Sequence, residues 1–323
     1  MPSLWIAIIA ICCVAAYAYL KMALRLNIVD KPNERSSHKT VTILGIGILI
    51  CLLLPLSLLF KNNLNPLFYF GLLSLGFVGL IDDRYDLSSR LRLGLQFGAV
   101  VLCWIGVGLP LELSIAVIAG ILLSIGVVNA YNFMDGINGM SILNAIVFAI
   151  SLIYIDYSQN LMVYPRPLLY VYLIILVILS FFNVRKRALA FLGDAGSLVM
   201  GLFSIIGVLS LVWQTGQWGY FGLLLVFGVD SVGTILFRIV RKENIFQAHR
   251  LHAYQMLVNE KKFSHLTISL LYAMLQLLIN MAIIHSESSS FDSIWTFLFF
   301  LVILIATYLS LRMHYFKDFN LKM

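Results

Sequence analysis

The chain has 323 residues, of which 61% are apolar and 11% charged, and a formal net charge of +7. Soluble globular chains average roughly 45–50% apolar and about 25% charged residues, so this chain has too little polar surface to stay in water. That excludes a soluble enzyme, a disordered chain, a disulfide scaffold and a nucleic-acid-binding module. A mean hydropathy of +0.96 predicts instead an all-α, polytopic integral membrane protein.

A membrane helix needs about 20 apolar residues. In chain order, stretches free of Asp, Glu, Lys and Arg run over Ser3–Leu20, Thr40–Phe60, Asn62–Ile81, Leu93–Leu111, Leu113–Met134, Gly136–Ile155, Pro167–Val184, Ala195–Val229, Leu266–Ile284 and Ser293–Leu311. As one helix, Ala195–Val229 would be about 52 Å long, too long for a hydrocarbon core of about 30 Å. Its polar centre, Gln214-Thr215-Gly216-Gln217-Trp218-Gly219, supplies a turn, which gives eleven predicted spans. The first lacks a small-residue cleavage site and is followed, not preceded, by Lys21, so it reads as a retained anchor. With eleven spans, alternate loops collect 20 of the 22 basic residues, leaving only Lys61 and Arg166 on the other side. Lys and Arg accumulate in short cytoplasmic loops, which predicts an outside N-terminus, a cytoplasmic C-terminus and a single membrane-embedded domain over residues 1–323. Cys12, Cys13, Cys51 and Cys103 all fall in apolar spans without metal-type spacing and read as small buried hydrophobes.

The acids are also asymmetric: eleven of fifteen lie toward the predicted cytoplasmic side. Because acids contribute little to topology, this needs another cause, and four polar clusters supply one. Asp82 and Asp83 are adjacent carboxylates at a membrane boundary, followed by Arg90, Arg92 and Gln96. Such a pair suits Mg²⁺ shared with substrate phosphates, or reads as a solvated loop in which Asp pairs with Arg84 or Arg90. Asn129 to Gly139 breaks two apolar spans with Asn129, Asn132, Asp135, Gly136, Asn138 and Gly139. Its amides can bind phosphate, sugar or Mg²⁺, or the segment is a polar turn. In Phe191-Leu192-Gly193-Asp194-Ala195-Gly196-Ser197, Asp194 and Ser197 frame a glycine turn at a helix start, where N–H groups favour an anion. Phe191 reads either as a base-stacking ring or as a lipid contact. Gln247 to Gln255 places His249, Arg250 and His252 within four positions, a set suited to phosphate or to lipid headgroups. Asp230, inside a span, reads either as functional or as the partner of Arg238 or a polar neighbour.

In this order, the segments resemble the polyprenyl-phosphate N-acetylhexosamine-1-phosphate transferases. The resemblance spans nearly the whole chain and includes Asp30-Lys31-Pro32-Asn33-Glu34-Arg35-Ser36-Ser37-His38, Asp82-Asp83, Asn129–Gly139, Gly193–Ser197, and Asp230 with Arg238 and Arg241. His249-Arg250-Leu251-His252-Ala253-Tyr254-Gln255 is most similar to the O-antigen initiators of the WbpL type. It lacks the triple-His pattern of the muramoyl-pentapeptide enzymes and the His-x-His-His pattern of the enterobacterial-antigen type. After His38 the family's Pro, basic residue and paired glycines are reduced to Gly45 and Gly47, so no substrate contact is assigned there.

The resemblance implies transfer of a sugar 1-phosphate from a UDP-N-acetylhexosamine, or a 6-deoxy relative, to polyprenyl phosphate at the cytoplasmic face of a bacterial inner membrane. UMP would be released. It places Mg²⁺, with Mn²⁺ as a substitute, at Asn132 and Asp194, and uracil on Phe191. It puts phosphate on His249, Arg250 and His252, sets Arg92 against the Asp82-Asp83 pair, and includes Asn129 and Asp135 among the substrate contacts. Asp83 would take the residual proton of the lipid phosphate, with Asp82 ordering the site; a covalent phospho-sugar on an Asp is the rival route. A homodimer is open. The alternatives are a GlcNAc-1-phosphate transferase serving another envelope glycan, or a transporter or flippase.

Overall fold

The structure is a computed structural model that describes residues 2–30, 41–85, 87–112, 114–244, 249–288 and 293–315. It is helical almost throughout. The elements are α1 (Pro2–Arg25), β1 (Val29–Asp30), β2 (Thr42–Ile43), α2 (Ile48–Leu53), α3 (Pro66–Tyr85), α4 (Ser89–Gly106), α5 (Ile115–Met134) and α6 (Met140–Gln159). They continue with α7 (Arg166–Asn183), α8 (Gly193–Thr215), α9 (Leu225–Val240), α10 (Ala253–Asn259), α11 (His265–Ser288) and α12 (Ser293–Tyr315). Short 3-10 segments, Leu54–Phe60 and Trp218–Leu224, prolong α2 and precede α9.

Among the described residues, nine helices are long and apolar enough to cross a membrane. The other two predicted spans are α4, whose first turn carries Arg90 and Arg92, and Ile48–Phe60, shorter than a crossing. Thr40–Phe60 is therefore not one helix. Thr42–Ile43 pairs antiparallel with Val29–Asp30, and Gly45 takes a left-handed φ of +81°. The chain turns helical only at Ile48.

Helix limits follow the local chemistry. The Asn65 side chain accepts the Leu67 N–H at 3.0 Å just before Pro66, a capped start with proline in the first turn. Ser88 and Ser114 cap α4 and α5 in the same way. The Ala195–Val229 stretch divides at its polar centre: α8 ends at Thr215 and Gly216 follows at φ +72°, the usual left-handed stop. The break before α9 is satisfied from α11, where Gln276 Oε1 accepts the Val226 N–H at 2.9 Å and Nε2 donates to the Gly222 carbonyl at 2.8 Å.

Helix α8 is the hub, buried over nearly its whole length, whereas α1 and α12 are mostly exposed and form the periphery. Small residues let backbones approach, the usual basis of helix packing in lipid. A Cβ on Gly79 of α3 would lie 2.4 Å from the Ala195 nitrogen, and one on Gly106 of α4 2.4 Å from the Phe68 nitrogen. Cys12, Cys51 and Cys103 are buried, but Cys13 is exposed on the outer side of α1, because adjacent helical residues point about 100° apart.

Candidate active site

The C-terminal end of α3 meets the start of α8. Asp82 is buried; its Oδ1 accepts the Leu87 N–H at 2.8 Å and its Oδ2 accepts Arg92 Nη1 at 2.9 Å. Asp82 thus holds the α3–α4 turn, and its cationic partner is Arg92 rather than Arg84 or Arg90. Asp83 faces the other way: both of its carboxylate oxygens accept the Asp194 N–H, at 3.1 Å each. The anion at the start of α8 is therefore the protein's own carboxylate, set at the positive end of the helix dipole. Gly193, at φ +70°, makes this fit, since a Cβ there would lie 2.3 Å from Asp83 Oδ2.

The end of α5 completes this half. Asn132 Nδ2 donates to Ser197 Oγ at 3.3 Å, and that hydroxyl donates to the Asp194 carbonyl at 3.4 Å. Asn132 and Asp194 are thus brought together. Asn129, one turn earlier, forms a reciprocal amide pair with Gln96 of α4, at 2.8 and 3.3 Å. Asp135 follows α5. Burial pushes its carboxyl up to about 8, with the Asp194 charge adding to the rise and Ser141 opposing it. The charges of Asp194, Asp82 and Asp135 all bear on Asp83, and the Arg92 cation bears on Asp194.

Asp82, Asp83 and Asp194 crowd one another with Arg92 as the cation bearing on them among the described residues, an arrangement that would accept a metal ion. Among the described residues no three His, Cys, Asp or Glu side chains form an all-protein metal cage. Mg²⁺ rarely uses one; it takes one or two carboxylates and completes its shell with water and substrate phosphates. The donor set fits that ion, for which Asp194 and the Asn132 carbonyl would be the protein ligands.

Phe191 is fixed through its backbone. Its N–H donates to the Ile43 carbonyl at 2.7 Å, and its carbonyl accepts the Ile46 N–H at 3.2 Å. The ring is half-buried. Of the Asp30–His38 motif only Asp30, in β1, lies among the described residues; Asp86 and Gln247-Ala248 lie outside them.

The His-containing segment approaches from the other side. The His252 ring is buried and stacks on Phe133, centroids 6.2 Å apart, and the His249 ring lies 5.0 Å from it. Tyr254 ties the halves together: its hydroxyl donates to the Phe133 carbonyl at 2.7 Å and accepts the Gly136 N–H at 3.1 Å. Arg250 Nε and Nη2 and both ring nitrogens of His252 are buried without a hydrogen-bond partner among the described residues. Such donors suit an incoming anion, because buried polar groups are otherwise paired. Burial, helped by the charges of His252, Arg238 and Arg312, lowers His249 to about 4.

Asp230 is bonded to Thr234, Tyr272 and the N–H groups of Ala253 and Tyr254, whereas Arg238 pairs with Glu243 at 3.2 Å. Sequence reasoning gave no role to the Tyr254 hydroxyl or to Arg312, which donates to the Leu251 carbonyl. Tyr254 stood inside the quoted segment, but nothing local marked Arg312 beyond its charge.

Fold and site together define a multi-pass helical membrane protein in which an acidic cluster at the α3–α8 junction is joined through the Phe133–Gly136 turn to the His249–Tyr254 segment. The glycosyl transferase family 4 model matches residues 65–214. The chain is 31% identical over 233 residues to the undecaprenyl-phosphate alpha-N-acetylglucosaminyl 1-phosphate transferase of Thermotoga maritima, covering 70% of this chain and 71% of that one. It is 25% identical over 266 residues to the Yersinia pestis protein of the same name, covering 74% and 71%. To the decaprenyl-phosphate N-acetylglucosaminephosphotransferase of Mycobacterium leprae it is 26% identical over 215 residues, covering 56% and 54%. The chain belongs to glycosyl transferase family 4.

Proposed function

We propose that the protein transfers N-acetylhexosamine 1-phosphate, or that of a 6-deoxy relative, from a UDP-sugar to polyprenyl phosphate, with Mg²⁺, at the cytoplasmic face of a bacterial inner membrane. The products are polyprenyl-diphosphate-sugar and UMP, and the step opens O-antigen or another cell-surface polysaccharide. The observation that carries this reading is the Phe133–Gly136 turn. It joins the Asp83–Asn132–Asp194 cluster to donors of Arg250 and His252 that have no partner among the described residues, so a metal ion and these donors can share the phosphates of the UDP-sugar. The names of the relatives support both substrates, and they include undecaprenyl and decaprenyl acceptors.

In this reading an oxygen of the lipid phosphate attacks the sugar-bearing phosphorus of the UDP-sugar. A new P–O bond forms, the bond to the bridging oxygen breaks, and UMP departs with that oxygen. A phosphate monoester has a second pKa of about 6, so the nucleophile is mostly dianionic at neutral pH and needs orientation and charge screening more than a strong base. Asp83 takes the residual proton, while Asp82, fixed by Arg92 and the Leu87 N–H, keeps the α3–α4 turn in place. Arg250, His252 and His249 hold phosphate oxygens, and Phe191 takes the uracil. Bound Mg²⁺ supplies charge neutralisation at the diphosphate. Asn129 enters through Gln96, by fixing α4 to α5.

The test is UMP release by the purified protein with polyprenyl phosphate and a panel of UDP-sugars. Mg²⁺-dependent release with lipid-linked product is expected, and Asp194→Asn should abolish it. Release that survives Asp194→Asn, or a sugar phosphate trapped on the protein without acceptor, overturns the metal assignment or the direct route respectively.

A further inference from the structure

We infer that Asp230 and Arg312 are positioning residues of this site, which from opposite flanks clamp the His249–Tyr254 segment over the Phe133–Gly136 turn and so aim His252 at substrate phosphate. The inference rests on the transfer reaction proposed above.

Asp230 is buried within α9 and its carboxylate is fully used. Oδ1 accepts the Ala253 N–H at 2.8 Å and the Thr234 hydroxyl at 3.3 Å; Oδ2 accepts the Tyr272 hydroxyl at 2.9 Å and the Tyr254 N–H at 3.3 Å. His252 Nδ1 lies 3.5 Å from Oδ1. A carboxylate offers about four lone-pair sites, so none is left for a metal or a substrate. Asp230 acts through its neighbours.

Arg312 does the complementary task from α12. It is buried, donates through Nη2 to the Leu251 carbonyl and to Thr234 Oγ1 at 3.2 Å, and lies 4.5 Å over the Phe237 ring. The Thr234 hydroxyl accepts from Arg312 and donates to Asp230, closing the clamp. Residue 251 is thus pinned by its carbonyl and residues 253 and 254 by their N–H groups. His252, between them, has Nδ1 3.5 Å from Asp230 Oδ1, and neither ring nitrogen has a hydrogen-bond partner among the described residues. Apolar residues of equal volume often hold helices together as well as a buried ion network does. Burying both charges here therefore has a use beyond packing.

The test uses the full chain and the UDP-sugar that the wild type turns over, read by the Kd for that sugar with Mg²⁺ and by kcat/KM. If the wild type turns over none of the panel, the proposed function fails, whatever the variants do. Given turnover, Asp230→Asn and Arg312→Met should each weaken sugar binding and kcat/KM about 10–100-fold. In a His252→Ala background neither should weaken binding further, a coupling that a merely structural role would not produce. Should Asp230→Asn fail to fold, Tyr272→Phe removes a single donor and should cost about 3–10-fold, again only when His252 is present. Wild-type affinity in these variants, or losses that persist undiminished without His252, overturn the inference.

Discussion

Gly193 illustrates how little of the site's precision depends on charged groups. Its positive φ and the 2.3 Å gap to Asp83 Oδ2 leave no room for a methyl group, and the left-handed conformation itself costs about 1–3 kcal/mol for a non-glycine residue. Gly193→Ala should lower the melting temperature and bring UMP release below a tenth of wild type; near-normal turnover would show that Asp83 need not sit on the start of α8. Asn129 makes the opposite case. Asn129→Ala strands the Gln96 amide, at about 1–3 kcal/mol, so the melting temperature should fall while KM for the UDP-sugar holds. A raised KM at unchanged stability would restore a direct substrate contact. His249 gives a pH signature. Folded, it stays neutral down to about pH 4, whereas the ordinary value is 6.5. On acidification the unfolded chain therefore binds the proton first. Its contribution to stability is complete above about 6.5 and disappears toward 4. Melting temperatures should fall across that window, and His249→Gln should flatten part of the slope.

At the level of elements, the segment from Thr42 to Gly47 shows where reading the chain failed and why. An apolar run without polar interruption has no periodicity to separate helix from anything else, so it passed for the start of a membrane span. Its actual work is to dock β2 and the following turn on residues 190–192, through Phe191 N–H to the Ile43 carbonyl and Gly47 N–H to the Leu192 carbonyl. Gly45 and Gly47 were the available signal. A Cβ on Gly47 would lie 2.3 Å from Gly196 Cα and 2.6 Å from the Leu192 oxygen, backbone atoms that cannot swing aside. Gly47→Ala should therefore destabilise the protein and weaken UDP-sugar binding together, because the same contact fixes Phe191. Undiminished sugar affinity would separate Phe191 from the nucleotide.

For the molecule as a whole, the polar residues that the fold gathers at the candidate site were legible because carboxylates, amides and histidines stand out against an apolar chain. The break at Gln214–Gly219 was legible for the same reason. Partners distant in sequence were not: Arg312 lies 61 residues from Leu251 and Asp194 lies 111 from Asp83. Local spacing carries no trace of such pairings. Orientation rests on charge counting alone. With the four native cysteines replaced by Ala, Lys186→Cys should react with an impermeant thiol reagent only after cell lysis, and Lys61→Cys in intact spheroplasts. The reverse pattern would put the site on the outer face. Arg166 is consistent with this scheme: its Nε donates to buried Asp156 at 2.6 Å, so one of the two exceptional cations has an acid of its own.

Gln276 inverts a common intuition about such proteins. It stands in for the backbone where the chain runs irregularly before α9, closing an N–H and a carbonyl that lipid cannot solvate. Replacing it with Leu would make α11 more lipid-like and should make the protein less stable. At this position tolerance to mutation should not rise with greasiness, and a hydropathy scale would misrank Gln276, on which the break before α9 depends.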